Sequence, residues 1–301
     1  VLTEEKLKEL ELKAQAVRET IISMLIEAGS GHTAGPLGMA DIFTAFYFHI
    51  LNHKPDDPAW AERDRLILSN GHIVPVRYAA MAHAGYFPLE ETKTLRKFGS
   101  RLQGHPERLR LPGLETTSGP LGSGLSQAAG IAYGAKMDAS TSSAQAAPKF
   151  RTYCLMSDGE HDAGNIWEAA MFAGKNKLHN LTGVIDRNNI QINGYTEEVM
   201  PLENLRAKYE AFNWHVLECD GNNIAAFVEM IDEAKAVFEK PTVIIAHTVP
   251  GKGIKEIEFD YRWHGSPPGQ GPEDVWLKKD QGKEMLNELR TLRGKIESEH
   301  Q

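Results

Sequence analysis

The sequence predicts an α/β fold, a mostly parallel sheet with helices on both faces, and three observations carry that prediction. Short, almost continuously apolar runs read as strands buried on both sides: Leu66–Leu68, Tyr153–Met156, Thr182–Asp186 and Pro241–His247. Helical stretches alternate with them, so strands meet through crossovers and not hairpins. The runs stop at turn chemistry: Asn70-Gly71 after the first, Asp158-Gly159 after the second, Asn188-Asn189 after the third. In open parallel sheets, ligands bind outside the carboxyl ends of strands. A length of 301 residues is read as one domain spanning 1–301.

Thr3 before Glu4 and Glu5 marks a helix start, with acids near the positive end of the dipole. Leu10, Ala14, Val17, Ile21 and Leu25 then share one face, and Gly29-Ser30-Gly31 stops the helix. His32 follows in a loop, and a second helix is expected over about Met39–Leu51, its aromatics Phe43, Phe46 and Tyr47 reading as core. A helix covers roughly Val74–Ala84. The Gly- and Pro-punctuated region Gly99–Gly124 is irregular, and irregular backbone of that length usually lines a site. Leu125–Ala139 is a helix of small residues whose surface admits close packing of another helix. Ser140–Lys149 has the composition of an exposed, hairpin-like excursion. Beyond the second and third strands, Tyr209–Cys219 reads as a further strand-like run, Ile224–Phe238 as a helix, and 273–299 as a polar amphipathic helix.

Composition excludes several classes. Net charge is −8, from 41 acidic and 33 basic residues, and no Lys/Arg run would grip nucleic acid. No apolar run is long enough to span a bilayer, and the charged helical start is no signal peptide. Cys154 and Cys219 fall in strand-like segments and read as small core residues in a reducing compartment. A cytoplasmic protein is expected.

The stretch Ser157–Gly194 is where chemistry concentrates. Asp158 and Asn188 each sit just past a strand's carboxyl end, and one carboxylate plus one amide oxygen are hard ligands suited to Mg²⁺ or Ca²⁺. Gly159 lets backbone approach a ligand closely. Asp-Gly and Asn-Asn are equally ordinary turns, and either pair alone is more simply read that way. His32, His72, His105 and His264 each stand beside a glycine at the end of an element.

Strand, Asp-Gly, helix, strand, Asn-Asn resembles the thiamine diphosphate motif, and the surroundings resemble transketolases. SGHTAGPLGMA (30–40), LSNGHIVP (68–75), GSRLQGHPE (99–107), TTSGPLGSGLS (116–126) and WHGSPP (263–268) match that family in order, from about Lys13 to Pro268. The resemblance implies a thiamine-diphosphate-binding fold of the diphosphate-holding (PP) type. It assigns a divalent metal, Mg²⁺ or Ca²⁺, to Asp158, Asn188 and the carbonyl of Ile190. His72, Gly159 and His264 are then expected on the diphosphate, Gly119 and Leu121 along the pyrimidine and thiazolium, and Ile192 on the thiazolium. His32, His105 and His264 are expected to face the substrate. Transketolases move a two-carbon ketol unit between sugar phosphates, and the glutamate that activates their cofactor lies in a second, pyrimidine-binding domain. The expectation is therefore a split transketolase: an amino-terminal subunit, inactive alone, joined by a carboxy-terminal partner subunit in a heterotetramer of two plus two. Related readings are a deoxyxylulose-phosphate or dihydroxyacetone synthase, or a non-catalytic cofactor-binding homologue. Departures from the family pattern are Ser157 for the first Gly of Gly-Asp-Gly, Thr33-Ala34-Gly35 for Pro-Gly-Ala, and Ala163 for a glutamate, with Glu168 retained and Asp162 nearby. Pro250 stands where some relatives have a cofactor-facing lysine, with Lys252 close by.

Overall fold

Five strands form one parallel sheet in a computed structural model that describes residues 2–141, 148–271 and 280–299. They are β1 (Arg65–Leu68), β2 (Thr152–Ser157), β3 (Leu181–Arg187), β6 (His215–Asp220) and β7 (Thr242–His247), in the order β1-β2-β3-β7-β6. A two-residue antiparallel pair, β4 (Ile190–Gln191) and β5 (Gly194–Tyr195), follows β3. The helices are α1 (Glu4–Ala28), α2 (Ala34–Gly38), α3 (Ala40–Ala45), α4 (Val74–His83), α5 (Ser123–Thr141), α6 (Gly164–Lys175), α7 (Thr196–Val199), α8 (Leu205–Ala211), α9 (Ile224–Ala236) and α10 (Gln281–Glu299).

Successive strand residues point to opposite faces, and the core divides accordingly. Leu66, Leu68, Tyr153, Leu155, Val184 and Ile244 face a layer that includes α1, α3, α4 and α9. Ile67, Cys154, Met156, Ile185, Val243 and Ile245 face α5, α6 and α8. Every residue of β2 and β3 is buried, as expected for central strands covered on both sides. Helix α1 begins as its sequence indicates, with the Thr3 hydroxyl accepting the Lys6 N–H at 3.2 Å, and it ends at left-handed Gly29. Its predicted stripe from Leu10 to Leu25 is wholly buried.

The helix expected over about Met39–Leu51 is present as α3 running on into a π turn over Phe46–Ile50, with α2 a separate short helix before it. One expectation needs correction. Tyr209–Cys219 is not one strand. Its first residues finish α8, which Asn204 caps through its side-chain oxygen (Ala207 N–H, 3.0 Å), and the chain turns at Asn213 (φ +63°) before β6. Most of the excursion expected over 140–149, and the first turns of the helix expected from residue 273, lie outside the described residues.

Register places the site. Ser157 pairs with Asp186 and Arg187 with His247, so β2, β3 and β7 finish together, and Asp158 and Asn188 emerge at that common edge. β1 finishes beside Leu155, which brings Ser69–His72 to the same edge.

Candidate functional site

A cleft of about 390 Å³ opens at the carboxyl edge of the sheet. Nine of the predicted site residues line it: His32, His72, His105, Gly119, Leu121, Gly159, Ile190, Ile192 and His264. They come from loops that lie far apart along the chain. Three imidazoles meet there, with ring centres 4.8 Å apart for His32–His72, 5.5 Å for His32–His264 and 5.1 Å for His72–His264. The Thr33 hydroxyl donates to the Ser266 carbonyl at 2.6 Å, tying the loop of His32 to that of His264. The Thr-Ala-Gly departure thus leaves His32 within the cluster.

Burial keeps the imidazoles uncharged. It is the largest influence pulling His32 down to about 3 and His264 to about 4, and it holds His72 well below the usual histidine range. His105, at the mouth, is lowered by burial and by the Arg96 charge. At neutral pH the cluster presents neutral donors and acceptors. Nδ1 of His264 is buried with no hydrogen-bond partner, as are both side-chain polar atoms of fully buried Asn70. Unpaired buried polar atoms are costly, and His264, which lines the cleft, points to a polar ligand there.

Asp158 and Asn188 lie buried just beneath the lining. The Gly159 N–H donates to Asp158 Oδ1 at 2.7 Å, and the Asn189 N–H and the Arg187 guanidinium donate to Oδ2 at 2.8 and 3.1 Å. Burial raises the Asp158 carboxyl, and these donors pull against it. Asn188 Nδ2 donates to Asp186 at 2.8 Å, while its Oδ1 accepts the Ile190 N–H at 3.0 Å. The arrangement fixes the amide with its oxygen on the side of Ile190. Among the described residues no three His, Cys, Asp or Glu side chains group as a metal site. Any cation here must be held by one carboxylate with amide and carbonyl oxygens, a donor set that suits Mg²⁺ or Ca²⁺ if anionic oxygens complete it.

Several site residues escaped the sequence reading. Glu160 is buried, accepts from Ser69 Oγ (2.7 Å), Gly122 N (2.8 Å) and Ser157 N (2.9 Å), and so ties three loops of the cleft together. Burial lifts its carboxyl to about 7. Arg187 joins Asp158 to Glu197 (2.6 Å) and Glu203 (3.0 Å). His161 donates from Nδ1 to the Ser157 carbonyl at 2.9 Å and accepts from the Tyr209 hydroxyl at 2.9 Å, which makes it a buried strut. Only adjacency to Asp158-Gly159 or Asn188 could have singled these out. Lys252 reaches the Asn222 carbonyl at 3.5 Å and lines a different cavity, so it does not replace a lysine at Pro250 in this cleft. Glu168 is exposed, and Asp162 accepts from Gln191 at 3.3 Å.

A parallel α/β sheet with an anion-compatible cleft at its carboxyl edge defines a broad class of cofactor-binding proteins. Comparison with known proteins narrows it. The family model described as transketolase, thiamine diphosphate binding domain, matches residues 10–285. The chain belongs to that family. It is 40% identical over 259 residues to an apulose-4-phosphate transketolase subunit from Phocaeicola vulgatus, a match covering 86% of this chain and 89% of that one. It is also 40% identical to the 6-deoxy-6-sulfo-D-fructose transketolase subunit of a Clostridium species, covering 81% and 86%. The transketolase structure from Leishmania mexicana superposes with a TM-score of 0.82 at 29% identity over 97% of this chain. The chain spans less than half the length of that solved transketolase, 45% of it. No helix among the described residues is long and apolar enough to cross a membrane.

Proposed function

We propose that this chain is the diphosphate-holding subunit of a two-chain, cytoplasmic transketolase, acting as a single domain that moves a two-carbon ketol unit from a ketose phosphate to an aldose phosphate. The observation that carries this reading is the uncharged trio His32, His72 and His264 beside Asp158-Gly159, with His264 Nδ1 left without a partner. The split architecture is supported by relatives that are themselves named as transketolase subunits and are matched over most of their length.

The residues fit thiamine diphosphate and a divalent ion. Asp158, Asn188 and the Ile190 carbonyl would hold Mg²⁺ or Ca²⁺, and His72, His264 and the Gly159 N–H would hold the diphosphate. Gly159 leaves room, since a Cβ there would meet the Gln191 side chain at 2.9 Å. Gly119, Leu121 and Ile192 would wall the rings; Leu121 and Ile192 are 44% and 67% exposed, apolar surface that a cofactor would cover. The bound cofactor supplies the nucleophilic carbon. Neutral His32, His105 and His264 orient the sugar and donate to its hydroxyls and to the carbonyl oxygen as charge develops there. A partner chain carrying the pyrimidine-binding domain would contribute the activating acid, two copies of each making a heterotetramer.

Calorimetry with thiamine diphosphate and Mg²⁺, followed by recombination with the partner chain and an assay of ketol transfer, tests the proposal. The expected result is metal-dependent binding and activity only in the mixture. Absence of metal-dependent binding even with the partner present would favour a non-catalytic homologue and overturn this reading.

A further inference from the structure

Arg187 ends β3 immediately before Asn188, and its side chain is only 4% exposed. Nη1 donates to Asp158 Oδ2 at 3.1 Å, and Nη2 donates to Glu197 at 2.6 Å and Glu203 at 3.0 Å. Oδ2 of Asp158 also takes the Asn189 N–H at 2.8 Å, whereas Oδ1 accepts the Gly159 N–H at 2.7 Å, which leaves Oδ1 the freer oxygen. A buried guanidinium needs such partners, yet its position sets two demands against each other. It steadies the carboxylate of Asp158, and it also places a full positive charge where a divalent cation would have to approach. Unopposed, that charge repels the cation.

Glu197 and Glu203 oppose it, and neither is a loose surface acid. Helix α7, which carries Glu197, is fastened to the end of β3 by the Thr196 N–H, a donor to the Asn189 carbonyl at 2.9 Å. The Glu197 carboxylate accepts the Leu202 N–H at 3.2 Å, and Glu203 Oε2 accepts the Leu205 N–H at 3.1 Å. Main-chain donors thus hold both acids in place against the guanidinium. Three carboxylates surround one guanidinium, an excess of two negative charges that matches one divalent cation. Neither glutamate lines the cleft, so any influence on a bound cation passes through Arg187.

We propose that Glu197 is a positioning residue for the metal site: acting through Arg187, it offsets the guanidinium charge, so that Asp158 is braced and still able to ligate a divalent cation. The inference rests on the reading of Asp158 as a metal ligand. Partners behind a ligand commonly set how well that ligand serves its metal. Removal of the Glu197 charge leaves the guanidinium less compensated and less firmly aimed, and the cation is then held more weakly although no ligand has changed. Glu197 is 39% exposed, so part of its effect passes through solvent and falls as salt rises.

A double-mutant cycle tests this, read by calorimetric titration of Mg²⁺ into the full chain with its partner present and thiamine diphosphate in excess. Glu197→Gln should weaken Mg²⁺ binding roughly fivefold. Glu197→Asp, which keeps the charge, should lose less, and the Glu197→Gln loss should shrink at high salt. Placed on Arg187→Gln, the same Glu197→Gln change should shift the affinity by less than about twofold, because the charge it offsets is gone. Equal losses in the two backgrounds, the result a merely structural role gives, or no loss in either, would sink the inference. If Arg187→Gln does not fold, the salt series decides: a loss as large for Glu197→Asp as for Glu197→Gln, and indifferent to salt, overturns it. Wild type that shows no Mg²⁺-dependent binding removes the metal reading and this inference with it. Binding by wild type with additive losses removes this inference alone.

Discussion

Asp158 carries the heaviest demand on any single residue, because it is buried, charged and surrounded by donors. Removing a buried acid usually strands its partner, but Arg187 keeps Glu197 and Glu203. Asp158→Ala should therefore abolish metal-dependent retention of thiamine diphosphate while costing only about 1–3 kcal/mol of stability. Calorimetry beside a urea melt checks both halves, and unchanged retention would remove the metal assignment. The histidines make a second prediction. His264 sits at about 4 when folded against 6.5 when free. The unfolded chain therefore binds protons that the folded chain refuses. This contribution favours folding less and less as pH falls from about 6.5 toward 4, and is restored above it. His264→Asn should accordingly lose less stability than wild type between pH 7 and pH 4.5, read as the difference in urea midpoints. Sequence alone brought these residues forward because each stands at a strand end or beside a glycine within a family motif. It did not reveal Glu160, Arg187 or Asn70. The role of Glu160 comes from loops far away in the chain and that of Arg187 from surrounding carboxylates, and neither these nor the burial of Asn70 is encoded in a local pattern.

Among the elements, the central strands were the most legible and short apolar runs the least. Tyr209 and Trp214 look like strand residues, yet they pack on each other at 5.3 Å from either side of a helix end. Over so few positions, periods of 2 and 3.6 are not distinguishable; the Asn204 cap and the Asn213 turn were the available signals. Helix α6, which follows Asp158-Gly159, is held to this corner by contact so close that position 174 admits no side chain. A Cβ there would lie 1.8 Å from the Phe212 carbonyl oxygen. Gly174→Ala should cost about 3 kcal/mol or more, because backbone on both sides must shift. Gly134 in α5, by contrast, has nothing within 4 Å of an added Cβ. Gly134→Ala should stabilise the isolated chain by about 0.5–1 kcal/mol through helix propensity and lower unfolded-state entropy. Chemical denaturation of the two variants distinguishes a glycine required by packing from one that is not.

At the scale of the whole molecule, the fold builds one wall of a binding site and leaves the other open. Asp158 and Asn188 are braced by buried hydrogen bonds, so that end of the cleft is pre-organised. The ring end is not. Leu121 and Ile192 face solvent, and His105 stands exposed at the mouth. Burial of apolar surface contributes about 25 cal/mol per Å², so a cofactor gripped at its diphosphate but uncovered at its rings forgoes much of its available binding energy. Addition of the pyrimidine-binding partner should tighten thiamine diphosphate binding by roughly tenfold or more. It should do so with a negative heat-capacity change, since the added contacts are largely apolar. Calorimetry at several temperatures, with and without the partner, measures both quantities. Full affinity and steady turnover by the single chain would show that this wall is sufficient by itself.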